Sequence, residues 1–190
     1  MNAMAAGGTG RGHGQKWRIL GWGGAALLLC VPAAMMRFAP QAGFDWSASD
    51  FMAMGILFAL AGLGIELAVR ASGSLAYRAA AAVAILTAFL TIWVNLAVGM
   101  IGSEDNAYNM AFACVLLLAL AGAAVARFRA RGLAPAMAVA GIAQGLVAAG
   151  GLSADPRGAI FSGLFVLLWL LSAGLFRAAA RRSSVSRAGD

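Results

Sequence analysis

The chain has 190 residues, of which 62% are hydrophobic and only 11% charged, and its mean hydropathy is +0.85. Soluble domains are roughly 45–50% apolar and about 25% charged, so this composition excludes an ordinary soluble domain and specifies an integral membrane protein with the lipid bilayer as its first partner. The net charge of +7 does not indicate nucleic acid, because the Lys and Arg residues punctuate the ends of apolar runs instead of forming a patch on a soluble face.

Residues 1–16 are rich in Gly and small side chains without an apolar period, which predicts a disordered cytoplasmic head. Lys16, Trp17 and Arg18 lead into Ile19–Met36, whose length of about 18 residues suffices for a first span. The run is longer than the apolar core of a signal peptide. Arg37–Asp50 reads as a loop, with Trp46 as an interface anchor and Asp50 as the cap of the next helix. Phe51–Val69 is the second span and ends at Arg70, and Ser72-Gly73-Ser74 is a turn. The third runs from Ala76 to Ile101, with its stop at Gly102, and the fourth from Met110 to Phe128, ended by the basic run to Arg131 with Gly132 and Pro135. Leu133–Leu152 gives the fifth, Asp155-Pro156-Arg157 a turn, and Ala159–Phe176 the sixth. The expected fold is therefore all-α, a polytopic membrane bundle of about six transmembrane helices over residues 17–179, followed by a basic cytoplasmic tail over 180–190.

Charge supports this count. With the head cytoplasmic, every one of the 14 Lys and Arg residues except Arg37 and Arg157 falls on the inner side, while Asp45, Asp50, Glu104, Asp105 and Asp155 fall on the outer side. The positive-inside rule then places both termini in the cytoplasm. The small residues Gly55, Ala59 and Gly62 of span two, Ala80, Ala84 and Gly99 of span three, and Gly141 and Gly145 of span five recur at helical spacing and mark the seams where helices approach.

Polar chemistry is concentrated in one stretch. Trp93 and Asn95 lie near the end of span three, and Ser103, Glu104, Asp105, Asn106 and Asn109 occupy the turn that follows. Two adjacent carboxylates with amide oxygens suit a hard cation such as Ca²⁺. The spacing matches no complete calcium loop, however, and a helix-capping turn is the preferred reading, so no metal is assigned. Asn95 is expected to bond a neighbouring helix through Gln144, because an unpaired amide in hydrocarbon costs several kcal/mol. Glu66, an acid inside a span, is a functional candidate by default. It sits one turn, about 6 Å, from Arg70, which predicts an i,i+4 pair. Trp169 is expected in the core of the bundle.

Several chemistries are excluded by the sequence. The single histidine, His13, precedes the first span, which removes a bis-histidine haem and an HExxH zinc site. Cys30 and Cys114 lie in separate apolar segments and read as small apolar side chains in helix contacts. With no nucleophile paired to a base and no phosphate-cradling loop, neither an enzyme nor a cofactor is expected.

The stretch Trp93-Val94-Asn95-Leu96-Ala97-Val98-Gly99-Met100-Ile101-Gly102-Ser103-Glu104-Asp105-Asn106, preceded by Leu75-Ala76-Tyr77-Arg78-Ala79-Ala80, resembles a family of small uncharacterised bacterial inner-membrane proteins. The resemblance implies a location in the bacterial inner membrane and no activity. The expected function is that of an accessory or structural membrane protein in a larger membrane complex or a homo-oligomer. The alternative is a small-solute or ion transporter that uses the seam around Glu66 and Asn95.

Overall fold

A computed structural model gives the backbone of residues 9–43 and 45–188 and the side chains of 19–43 and 45–182. The described residues form six α-helices and no strand: α1 (Thr9–Phe38), α2 (Ala48–Ala71), α3 (Leu75–Ala97), α4 (Met110–Val125), α5 (Ala130–Gly150) and α6 (Pro156–Ala188). Each supplies a stretch long and apolar enough to cross a membrane, from Ile19–Phe38 in α1 to Pro156–Arg182 in α6, α4 reaching that length together with the helical turn Ala107–Asn109 before it. The chain is therefore a six-helix membrane protein. It divides within α2 into two compact parts, residues 1–62 and 63–190.

Two helices extend beyond the expected spans. α1 begins at Thr9, inside the segment expected to be disordered, and α6 runs through the tail to Ala188. Once an apolar run has nucleated a helix, each further residue adds a hydrogen bond for the fixing of one residue. The rest of the head, residues 1–8, the side chain of His13 and the last two residues lie outside the described residues.

In the first part, the start of α2 is built by a local code. The Ser47 amide donates to Asp50 Oδ2 at 2.7 Å and the Asp50 amide to Ser47 Oγ at 3.3 Å. These reciprocal bonds make a capping box. Ser47 is thus the cap, and Asp50, expected in that role, is its partner three residues on. Trp46 packs edge-on to Phe51 at 5.2 Å between ring centroids, the hydrophobic staple that accompanies such a box. Gly62 faces the Trp22 indole so closely that a Cβ there would meet it at 2.9 Å. Cys30 is exposed and free.

In the second part, α5 packs on both α4 and α6, and α6 on α3. Little hydrophobic force acts between helices in lipid, so close approach at small residues has to hold them. A Cβ on Gly141 would come 3.2 Å from Trp169 Cβ, and one on Gly145 would touch Val166. The Gly141–Gly145 pair is thus where α6 lies against α5. Ala80 and Ala140 are fully buried, and around them pack Val115, Met137, Trp169 and Phe176. Ser172 donates to the Ala80 carbonyl at 2.9 Å, and Tyr77 meets Phe176 edge-on at 5.3 Å, so α3 and α6 are joined by polar and aromatic contacts together.

Three sequence expectations are corrected here. α3 ends at Ala97, short of Ile101, because Gly99 takes a left-handed φ of 76° and turns the chain, after which Met100 and Ile101 tuck inward and are buried. Gly132 and Pro135 do not separate spans four and five: both lie inside α5, Gly132 in its first turn, where N–H groups have no intrahelical acceptor to lose, and Pro135 in its second. Cys114 is exposed and free, so it faces outward from α4 instead of filling a helix contact. The short α4–α5 turn places Arg127 and Phe128 at positive φ, 48° and 56°, a conformation that costs about 1–2 kcal/mol per non-glycine residue. The Tyr77 hydroxyl, donating to the Phe128 carbonyl at 2.8 Å, fixes it.

Candidate functional site

The turn between α3 and α4 holds most of the singled-out residues, and its geometry follows from two glycines and three polar side chains. Gly99 and Gly102 both have left-handed φ, 76° and 72°. A Cβ on Gly99 would fall on the Ser103 carbonyl and press the Asn109 amide. Asn109, almost fully buried, accepts from the Ile101 amide at 2.9 Å and donates to the Ile101 and Ser103 carbonyls at 3.3 and 2.8 Å. Asn106 donates to the Ile101 carbonyl at 3.0 Å and accepts from the Tyr108 amide at 3.0 Å. The amide side chains therefore stand in for a regular backbone ladder. They satisfy main-chain groups that an irregular segment at the end of a span would leave unpaired.

Asp155, which the sequence places in an ordinary turn, closes the site. Its Oδ1 accepts from the Gly158 amide at 3.0 Å and its Oδ2 from the Gly102 amide at 2.9 Å. The first bond caps α6, whose N1 residue is Pro156. The second reaches across 53 positions of sequence to the α3–α4 turn. Gly158 has to be glycine for this, because a Cβ would strike both Asp155 and the Met100 carbonyl. Tyr108 adds a parallel tie, donating its hydroxyl to the Val147 carbonyl of α5 at 2.7 Å. The signal in the sequence was the Asp-Pro-x-Gly order of a capped helix start, which indicates the cap and not its second partner.

The bonds from the Gly158 and Gly102 amides, helped by Arg157, hold the Asp155 carboxyl below its ordinary value of 3.8. A depressed pKa in the fold means that the clamp contributes stability that is complete above that ordinary value and is lost as pH falls through the lower folded one. Thermal melts of wild type and Asp155→Asn should therefore differ at pH 7 and converge as the pH falls through the depressed folded value. A gap that stays constant with pH would show that the carboxylate charge is not what holds the two turns.

The remaining candidates are dispersed. Glu104 and Asp105 lie exposed at the tip of the turn. Among the described residues no group of three or more His, Cys, Asp or Glu side chains gathers as a metal site needs. Glu66 pairs with Arg70 at 3.1 Å, the i,i+4 contact that the spacing predicts. Trp93 is partly exposed on α3, its ring 6.3 Å from that of Phe89 one turn before. Asn95 does not bond Gln144. It donates to the Thr91 carbonyl of its own helix at 2.7 Å, continuing a ladder in which Thr91 donates to the Thr87 carbonyl and Thr87 to the Val83 carbonyl. Polar side chains in a span readily bond the carbonyl four residues back, and that local option wins over the neighbouring helix. Gln144 donates instead to the Ser162 carbonyl of α6 at 3.1 Å. Asn95 Oδ1, Gln144 Oε1 and Trp169 Nε1 are buried without a hydrogen-bond partner.

No family model matches the chain, and no curated protein and no solved structure matches it significantly.

Proposed function

We propose that the protein is a non-enzymatic accessory or structural component of a bacterial inner membrane that packs against a membrane partner, with both termini cytoplasmic and the Gly102–Asn109 turn periplasmic. The observation that carries this reading is the use of Asn106, Asn109 and Asp155. These polar groups, which a binding or catalytic site would turn toward a ligand, are committed to main-chain groups of their own turn and its neighbour. The asymmetry of the arginines supports the orientation, and the resemblance of the Trp93–Asn106 stretch supports the compartment. Gentle extraction from the native membrane followed by native mass spectrometry tests it. The expected result is a stoichiometric complex with a second membrane protein, and a chain that emerges as a lone monomer with transport activity of its own would overturn it.

The unpartnered Asn95 Oδ1 and Gln144 Oε1 favour a second reading, a small-solute or ion transporter using the seam near Glu66 and Asn95. Glu66→Gln separates the two. On the accessory reading the variant stays folded, the lost Arg70 contact being an i,i+4 pair of a kind worth about 0.3–0.5 kcal/mol, with no change in the flux of reconstituted vesicles. A variant that folds normally and abolishes an otherwise measurable flux would put the transporter first.

A further inference from the structure

One end of the α5–α6 pair carries a feature that neither reading uses. A shallow hollow of about 280 Å³ is lined by Arg131 and Ala134 of α5 and by Arg177, Ala180 and Arg181 of α6. Three of its five lining residues are arginines and the other two are alanines. Among the described residues no carboxylate lines it. Arg131 of α5 and Arg177 of α6 bring positive charge to the hollow from two different helices, with Arg181 one turn beyond Arg177. An arrangement of this sign is relieved by an anion, and guanidinium forks suit the paired oxygens of a phosphate.

The place of the hollow selects the source of that phosphate. Its walls are the first turns of the span Ala130–Gly150 and the last turns of the span Pro156–Arg182, the level at which an apolar run meets water and lipid phosphates lie. Its volume is below the range of about 300–1,000 Å³ usual for pockets that enclose a small molecule. It suits a group whose remainder stays in the bilayer.

We propose that this hollow binds the phosphodiester headgroup of an anionic phospholipid, with Arg131 and Arg177 as its main contacts and Arg181 at its edge. The site is independent of whether the protein is an accessory subunit or a transporter. Basic residues at a membrane surface each strengthen the attraction to anionic lipid by about fivefold. Removing three should weaken it by about a hundredfold.

The test is native mass spectrometry of the full chain in detergent, titrated with phosphatidylglycerol or phosphatidylcholine, for wild type, Arg131→Gln/Arg177→Gln/Arg181→Gln and Arg37→Gln. Wild type and Arg37→Gln should bind phosphatidylglycerol at least tenfold more tightly than phosphatidylcholine, and the triple variant should lose that preference. If the triple variant does not fold, the double variant Arg131→Gln/Arg177→Gln, checked by its melting temperature, should weaken binding by about 25-fold. Equal binding of the two lipids by wild type would overturn the proposal, as would a folded variant that still prefers the anionic lipid. A third arm adds inorganic phosphate at millimolar concentration. Retention of the bound lipid is expected, whereas its stoichiometric displacement would assign the arginines to a soluble anion and remove the lipid.

Discussion

Replacing Asn109 with alanine should destabilise the protein by about 3 kcal/mol, because it removes three hydrogen bonds and leaves the buried Ile101 amide without an acceptor. The cost is large because the partners are main-chain groups in a segment with no ladder of its own. Asn109→Asp gives a sharper result. The carboxylate keeps an acceptor for the Ile101 amide but sets its second oxygen against the Ile101 and Ser103 carbonyls, which both require a donor. At neutral pH this variant should be at least as unstable as Asn109→Ala. Acidification that protonates the new carboxyl restores one donor, and the melting temperature should rise relative to the alanine variant at the same pH. An aspartate variant as stable as wild type at pH 7 would mean that the amide donor contributes nothing.

The second large effect is expected at Trp169, which is 1% exposed in the α5–α6 seam. Truncation to alanine removes most of a buried indole opposite Gly141, where the backbones are already held at close approach. Such a loss costs about 3–5 kcal/mol through the cavity that remains. Trp169→Phe should cost clearly less than Trp169→Ala, because it leaves a smaller cavity. It keeps an aromatic ring in place, and although it gives up the second ring of the indole it also deletes Nε1, a buried donor without a hydrogen-bond partner, which offsets part of the lost volume. Equilibrium unfolding of the two variants in mixed micelles measures the difference. If the phenylalanine variant is as damaged as the alanine one, the indole N–H has a role that packing does not explain.

The helices were legible because length and hydropathy suffice to mark a span, and the Glu66–Arg70 pair because helical spacing brings residues four apart together. Other features depended on competition between partners that a linear pattern does not rank. Met100 and Ile101 continue an apolar run, so the end of α3 at Ala97 depends on the backbone angle at Gly99, a residue type that also occurs inside spans. Glu104 and Asp105 are neighbours in sequence, yet the acid that joins two turns is Asp155, whose partner Gly102 lies 53 positions away. Asn95 and Gln144 looked like a polar pair across a seam, but each found a carbonyl first, one on its own helix and one on α6. The Arg131–Arg177–Arg181 hollow shows the same limit. The positive-inside rule places the three arginines on one side of the membrane, and only the meeting of α5 with α6 gathers them.

The ties at the two ends of α3–α6 have a mechanical consequence. Asp155 and Tyr108 fasten the turn after α3 to the α5–α6 end, and Tyr77 fastens the beginning of α3 to the turn after α4. Rocking one helix pair against the other, the motion by which many carriers expose a cavity first to one side and then to the other, would stretch a fastening at whichever end widened. The part of the chain from α3 onward is therefore built to move as one stiff block. Its low-cost deformations are left to the exposed tip at Glu104 and Asp105, beyond the reach of these fastenings.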